Sequence, residues 1–159
     1  NNESHKLSIA QYAFYESGIK NIDLYDAVID EIYSYSFCKN QFETFIMPKK
    51  CSRIDEYAFG GTQIDDFQIT GCNRINKFAF RNATIKDFVI PSDCTKVENN
   101  AFAYADIEYM RVESTNINIY AEDFYAFNAL RLKTLVYINN KDYGYEGGIG
   151  YLNEFFENS

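Results

Sequence analysis

The chain has 159 residues, 47% of them hydrophobic and 18% aromatic, with a formal net charge of −8 and a sequence pI near 4.6. That length makes one domain spanning 1–159 the expectation, with enough apolar material for a packed core. The acidity argues against partners held through phosphates, so neither nucleic acid nor an anionic membrane surface is expected, and no apolar run approaches the roughly 18 residues of a membrane-spanning helix.

In chain order, the opening Asn1–Lys6 stretch has no initiator Met and no apolar signal core. It reads as the start of a mature product or an excised piece, not as a leader. It holds the only histidine, His5, and one terminal histidine is a poor base for Ser–His or Cys–His chemistry. From there a small residue followed by Phe recurs: Ala13-Phe14, Ser36-Phe37, Ala58-Phe59, Ala79-Phe80, Ala101-Phe102 and Ala126-Phe127. The Phe-to-Phe steps are 23, 22, 21, 22 and 25 residues. Five residues before the first five Phe stands a β-branched apolar residue: Ile9, Ile32, Ile54, Ile75 and Val97. The last repeat has Glu122 there and Ile119 three residues earlier, as a three-residue insertion requires.

After every Phe, apolar residues return at +5, +8 and +10, from Ile19, Ile22 and Leu24 through Ile64, Phe67 and Ile69 to Leu132, Leu135 and Tyr137. The end of that pattern alternates with period two and predicts a strand with one buried face. The Ile-x-x-Tyr-Ala-Phe segment, as in Ile54–Phe59, predicts a short helical or 3₁₀ turn behind the strand. This is the L-x-x-L-x-L core of a leucine-rich repeat, and it predicts a repeat solenoid with a parallel β-sheet on its concave side. Repeats run over about 9–137. A C-terminal cap follows over about 138–159, where Gly144–Gly150 forms a loop and Leu152, Phe155 and Phe156 share one helical face. That glycine-rich loop lacks the Gly-Lys-Ser/Thr ending of a phosphate loop.

With Ile-x-x-Tyr-Ala-Phe followed by Ile-x-x-Phe-x-Ile-Pro in Ile85–Pro91, the chain resembles the BspA-type leucine-rich repeats from about Ile9 to Tyr137. It departs from the pattern at Ile29 and in the stretched 113–125 segment. The resemblance implies a surface-exposed or secreted binding or adhesion module. It supplies no shared catalytic residues.

Cys51, Cys72 and Cys94 lie three residues before Ile54, Ile75 and Val97, with Asn116 in the same place before Ile119. They read as an inward ladder of reduced thiols. A disulfide between adjacent coils fits the spacing of stacked strands, whereas zinc lacks a C-x-x-C pair or a nearby histidine. Cys38 lies off the ladder and is expected to be more exposed. Carboxylates such as Asp65, Asp66 and Asp87 lie between strand core positions and read as a solvated face, without the dense Asp/Asn loop of a calcium site. A second aromatic column, Tyr12, Tyr35, Tyr57, Phe78 and Tyr125, sits two residues before the repeat Phe. It is read as packing, with a sugar-stacking platform as the alternative. Asn2-Glu-Ser and Asn82-Ala-Thr match the N-glycosylation triplet.

Residues between the strand core positions should face outward. The candidate ligand-binding residues are Ile46, Asp66, Gln68, Asp87, Val89, Tyr109 and Arg111. Ile46, Pro48, Val89, Pro91, Val136 and Ile138 are more apolar than a surface needs, which suits an interaction patch, although β-propensity alone also favours Val and Ile there. The expectation is a non-enzymatic module without cofactor or metal, at the cell surface or secreted, binding another protein or a surface glycan. The alternative is a structural spacer in a longer repeat array.

Overall fold

The computed structural model describes residues 7–114, 117 and 130–137. Among these residues eleven strands form in chain order: β1 (Leu7–Ile9), β2 (Asn21–Asp23), β3 (Ile29–Ile32), β4 (Gln41–Ile46), β5 (Arg53–Ile54), β6 (Gln63–Gln68), β7 (Arg74–Ile75), β8 (Thr84–Ile90), β9 (Lys96–Val97), β10 (Asp106–Val112) and β11 (Arg131–Tyr137). They alternate between two parallel sheets. The long strands give a six-stranded sheet in the order β11-β10-β8-β6-β4-β2, and the short ones a five-stranded sheet in the order β1-β3-β5-β7-β9. Each of the first five coils therefore contributes one strand to each sheet, and the sixth contributes β11 to the long one, as the solenoid expectation requires. The predicted cap over 138–159, Asn116, Ile119, Tyr125, Phe127, His5 and the Asn2 triplet lie outside the described residues.

The second sheet corrects one expectation. No helix, α or 3₁₀, occurs among the described residues. Ile9, Ile32, Ile54, Ile75 and Val97 end short strands, and Ala13-Phe14, Ser36-Phe37, Ala58-Phe59, Ala79-Phe80 and Ala101-Phe102 sit in turns beyond them. The reason lies in where the turn's N–H groups point. In the first turn Ala13, Tyr15 and Ser17 donate within the turn, to Ala10, Tyr12 and Phe14 carbonyls. The alternating Tyr12, Phe14 and Glu16 N–H groups donate to the next coil, at Ser34, Ser36 and Cys38. A helix would have spent every N–H on its own turn. Exporting every second one ties the coils together along a third side.

That geometry needs left-handed backbone at two places per turn. Tyr12, Tyr35, Tyr57, Phe78 and Asn100 take φ of 56 to 61° two residues before the Phe. Glu16, Lys39, Gly61, Asn82 and Tyr104 take φ of 47 to 62° two residues after it. An L-residue there costs about 1–2 kcal/mol, which the inter-coil hydrogen bonds and ring stacking offset.

Inside, the repeat Phe form one stacked column. Ring centroids of Phe14, Phe37, Phe59, Phe80 and Phe102 follow at 5.3, 5.3, 5.1 and 5.3 Å. Strand residues Phe45, Phe67 and Phe88 meet this column edge-on from the long sheet. Ser36, Ala58, Ala79 and Ala101 are fully buried beside it, where a larger side chain would push the coils apart. At the first coil, which has one described neighbour, the equivalent Ile9, Phe14, Ile19, Ile22 and Leu24 are only partly covered.

Irregular step lengths find local solutions. The 23-residue first step places its extra residue beside Asp30, where the register shifts from Leu7↔Ile29 to Ser8↔Glu31, so the break read at Ile29 is a bulge. The 21-residue step shortens the loop at Thr70-Gly71, which brings Gly71 so close to Lys49 that any Cβ would collide with the Lys49 carbonyl oxygen.

Candidate functional site: the outer face of the long sheet

Within L-x-x-L-x-L the intervening side chains project away from the core. Asp66 and Gln68 on β6 and Asp87 on β8 are exposed, and Ile46 on β4, Val89 on β8, and Tyr109 and Arg111 on β10 are half-buried. Strand register brings these residues together. Ile46 lies opposite Gln68, Asp87 opposite Tyr109, and Val89 opposite Arg111. Gln68 Nε2 donates to Asp66 Oδ2 at 2.9 Å, and Arg111 Nε pairs with Glu113 Oε1 at 3.0 Å.

The predicted apolar patch is smaller than its sequence version. Pro48 and Pro91 are buried, because the chain turns inward as it leaves the strand, so they are not part of this face. Ile138 lies outside the described residues. Ile46, Val89 and Val136 remain, all half-buried.

A further outward column is read from the sequence only at Asp65. Two residues, not one, separate the first two core positions, so Glu43, Asp65, Lys86, Glu108 and Lys133 form a row of their own. Lys133 Nζ meets Glu108 Oε1 at 3.3 Å, and Arg131 Nη2 meets Asp106 Oδ2 at 3.0 Å. A shallow groove of about 300 Å³ runs along this row beside Gln63 and Thr84. The signal was present as the double x of the repeat.

The centre of the face is acidic. β6 and β8 keep register at Gln63↔Thr84 and Ile64↔Ile85, short of Asp66 and Asp87. Like charges on neighbouring strands repel. Phe67 and Phe88, stacked at 5.5 Å beneath them, hold the two strands adjacent.

Other candidates take structural roles. Cys51, Cys72 and Cys94 are buried and unbridged, as expected, and their thiols donate to the Arg53, Arg74 and Lys96 carbonyls at 3.3, 3.3 and 3.6 Å. Burial pushes the Cys94 thiol up to about 12. Cys72 is raised well above the usual thiol range by its hydrogen bond to Cys51 and by burial, and the same hydrogen bond lowers Cys51. Cys38 is not the exposed thiol expected of it. It is buried in the turn, which raises its pKa.

A groove of about 410 Å³ reaches Cys51 between Val28, Asp30, Lys50 and Asp93. No group of three potential metal ligands converges among the described residues. The second aromatic column stacks ring on ring at 5.0, 5.0 and 5.2 Å from Tyr12 through Tyr35 and Tyr57 to Phe78. Lys77 and Arg81 cations lie over the Phe78 ring. Faces covered in this way leave little for a sugar to stack on, so packing explains the column.

A family model, the BspA type leucine rich repeat region in six copies, matches residues 3–108. The chain belongs to the BspA-type leucine-rich-repeat family. In this BspA-type chain the geometry continues past the matched segment, since β11 pairs in parallel with β10 from Asp106↔Arg131 to Val112↔Tyr137. No curated protein and no solved structure matches the chain.

Proposed function

We infer that this BspA-type solenoid is a protein-binding module at a cell surface or in the secreted state, and that the outer face of the long sheet takes the partner. Stacked repeats of this kind serve as binding scaffolds, not as sites of chemistry. The observation that carries the reading is an outward row on rigid strands in two registered parts, Ile46 opposite Gln68 and Val89 opposite Arg111 and Val136, with three apolar members half-exposed. A partner fits it with apolar groups at the centre and basic groups around them. Apolar contact at the centre supplies most of the affinity of such surfaces.

The test is a screen of immobilised chain against extracellular proteins and glycans, followed by Val89→Lys on any hit. Val89 is half-exposed, so the variant keeps its fold by circular dichroism. Its affinity should fall at least tenfold. Unchanged affinity in the folded variant would move the site off this face. A glycan as the sole hit would replace the protein reading. No hit at all would favour a spacer role.

A further inference from the structure

We propose that Asn82 is an acceptor for an N-linked glycan, which decorates the turn ridge of the solenoid. The acceptor triplet Asn82-Ala83-Thr84 straddles the point where the fourth turn becomes β8. A glycan needs the acceptor side chain and the third residue of the triplet in solvent. Asn82 and Thr84 are exposed, whereas Ala83 between them is buried.

Three asparagine side chains elsewhere in the fold are engaged by hydrogen bonds the structure shows. The Asn40 amide donates to the Phe14 and Phe37 carbonyls, Asn73 to Asp93, and Asn76 to Asp55. The Asn82 side-chain amide makes no hydrogen bond among the described residues. The position explains an asparagine only in part. Left-handed backbone at φ 57° favours Asn or Gly, but the other coils put Glu16, Lys39, Gly61 and Tyr104 there. No turn geometry asks for Thr84 either, since the same place holds Gly18, Gln41, Gln63 and Asp106.

All five residues of this ridge are exposed, so a sugar on Asn82 projects into solvent beyond the edge of both sheets. It leaves Ile46, Val89 and Arg111 uncovered. The donor is a lipid-pyrophosphate-linked oligosaccharide. The Asn82 amide nitrogen forms a bond to the anomeric carbon as that carbon's bond to the pyrophosphate oxygen breaks. The lipid pyrophosphate leaves with the electron pair, the amide proton passes to a base of the transferase, and nothing is oxidised or reduced.

Folding sets the order of events. In the finished coil Asn82 N–H donates to the Ala103 carbonyl at 3.0 Å and Thr84 N–H to the Thr62 carbonyl at 2.8 Å. The triplet is thus locked once the next coil docks, and transfer belongs to the emerging chain. The sugar survives folding because, of the triplet, only the backbone and Ala83 are enclosed, while the Asn82 side chain stays in solvent.

The proposal rests on the surface-or-secreted half of the functional reading, and the experiment separates the two by supplying a leader. The leader-bearing chain is expressed in a host that N-glycosylates, beside a reporter glycoprotein. Material from the medium and from the secretory lumen is then mapped by mass spectrometry, with glycosidase release in heavy-oxygen water to mark the acceptor as aspartate. Most Asn82-containing peptide should carry a glycan. Asn82→Gly, which Gly61 shows the turn to accept, and Thr84→Ala should each abolish it while leaving the fold intact. An unmodified Asn82 beside a fully modified reporter would overturn the proposal. So would a glycan confined to the Asn2 triplet, with the Asn82-containing peptide unmodified. Neither result touches binding at the long sheet.

Discussion

Asn40 shows how much one side chain can hold. Its amide nitrogen donates to the carbonyls of Phe14 and Phe37 at 2.6 and 2.8 Å, and its oxygen accepts from Ser17 and Gly18 N–H at 2.9 and 3.2 Å. It fastens the first coil to the second at a point where backbone groups would otherwise lie buried without partners. Asn40→Ala should cost about 1–3 kcal/mol, the penalty for unsatisfied buried groups, read as a lower urea midpoint. The thiol ladder yields a pH prediction. The folded state keeps the Cys94 proton up to about 12, whereas an unperturbed thiol loses it near 9. The contribution of Cys94 to stability is therefore complete below about 9 and lost as pH rises from there towards 12. Tyrosines and lysines titrate in the same window, so the measurement is a difference. The urea midpoint of the wild type should fall more steeply above pH 9 than that of Cys94→Ala, and equal slopes would refute the assignment. Neither Asn40 nor the burial of Cys38 was legible in the sequence, because both are set by coil-to-coil contacts that no single repeat displays.

At the scale of one coil, what could be read depended on which side of the chain carried the pattern. The long strands were legible because burial writes itself into alternation: Ile64, Phe67 and Ile69 face in and Asp65, Asp66 and Gln68 face out. The turn was not. Apolar residues at Ile54, Tyr57, Ala58 and Phe59 have helical spacing, but their spacing says nothing of where N–H groups go, and alternate ones go to the next coil. The face was legible for Ile46 and Val89 and illegible for Pro48 and Pro91, whose burial follows from a change of direction after the strand. Phe80 measures the energy of a coil. It is fully buried, stacks on Phe59 and Phe102, and meets Phe67 and Phe88 edge-on. Phe80→Ala should destabilise the protein by about 3–5 kcal/mol, measured by denaturant unfolding. A loss under 1 kcal/mol would mean that neighbouring rings collapse into the space and that the column is less rigid than its stacking indicates.

Across the whole molecule, charge is distributed unevenly over the long sheet. The cations of its C-terminal strands are held in ion pairs, Arg111 with Glu113, Arg131 with Asp106 and Lys133 with Glu108. Glu43, Asp65, Asp66 and Asp87 at the centre have Lys86 among them and Lys20 beside Glu43 at the edge, and neither cation balances the four carboxylates. An approaching basic partner therefore meets an acidic centre first and the half-buried Ile46 and Val89 on contact. Fields of this kind act on encounter and are screened beyond about 8 Å at physiological salt. Replacing Asp66 and Asp87 together by Asn should slow association roughly tenfold at low ionic strength, with dissociation nearly unchanged. The difference should shrink as salt is added. The double variant should be at least as stable as the wild type, because the two carboxylates repel across neighbouring strands. Association and dissociation rates at two salt concentrations, with a thermal melt of each variant, decide the matter. A salt-independent loss carried by faster dissociation would make the carboxylates direct contacts instead of steering charges.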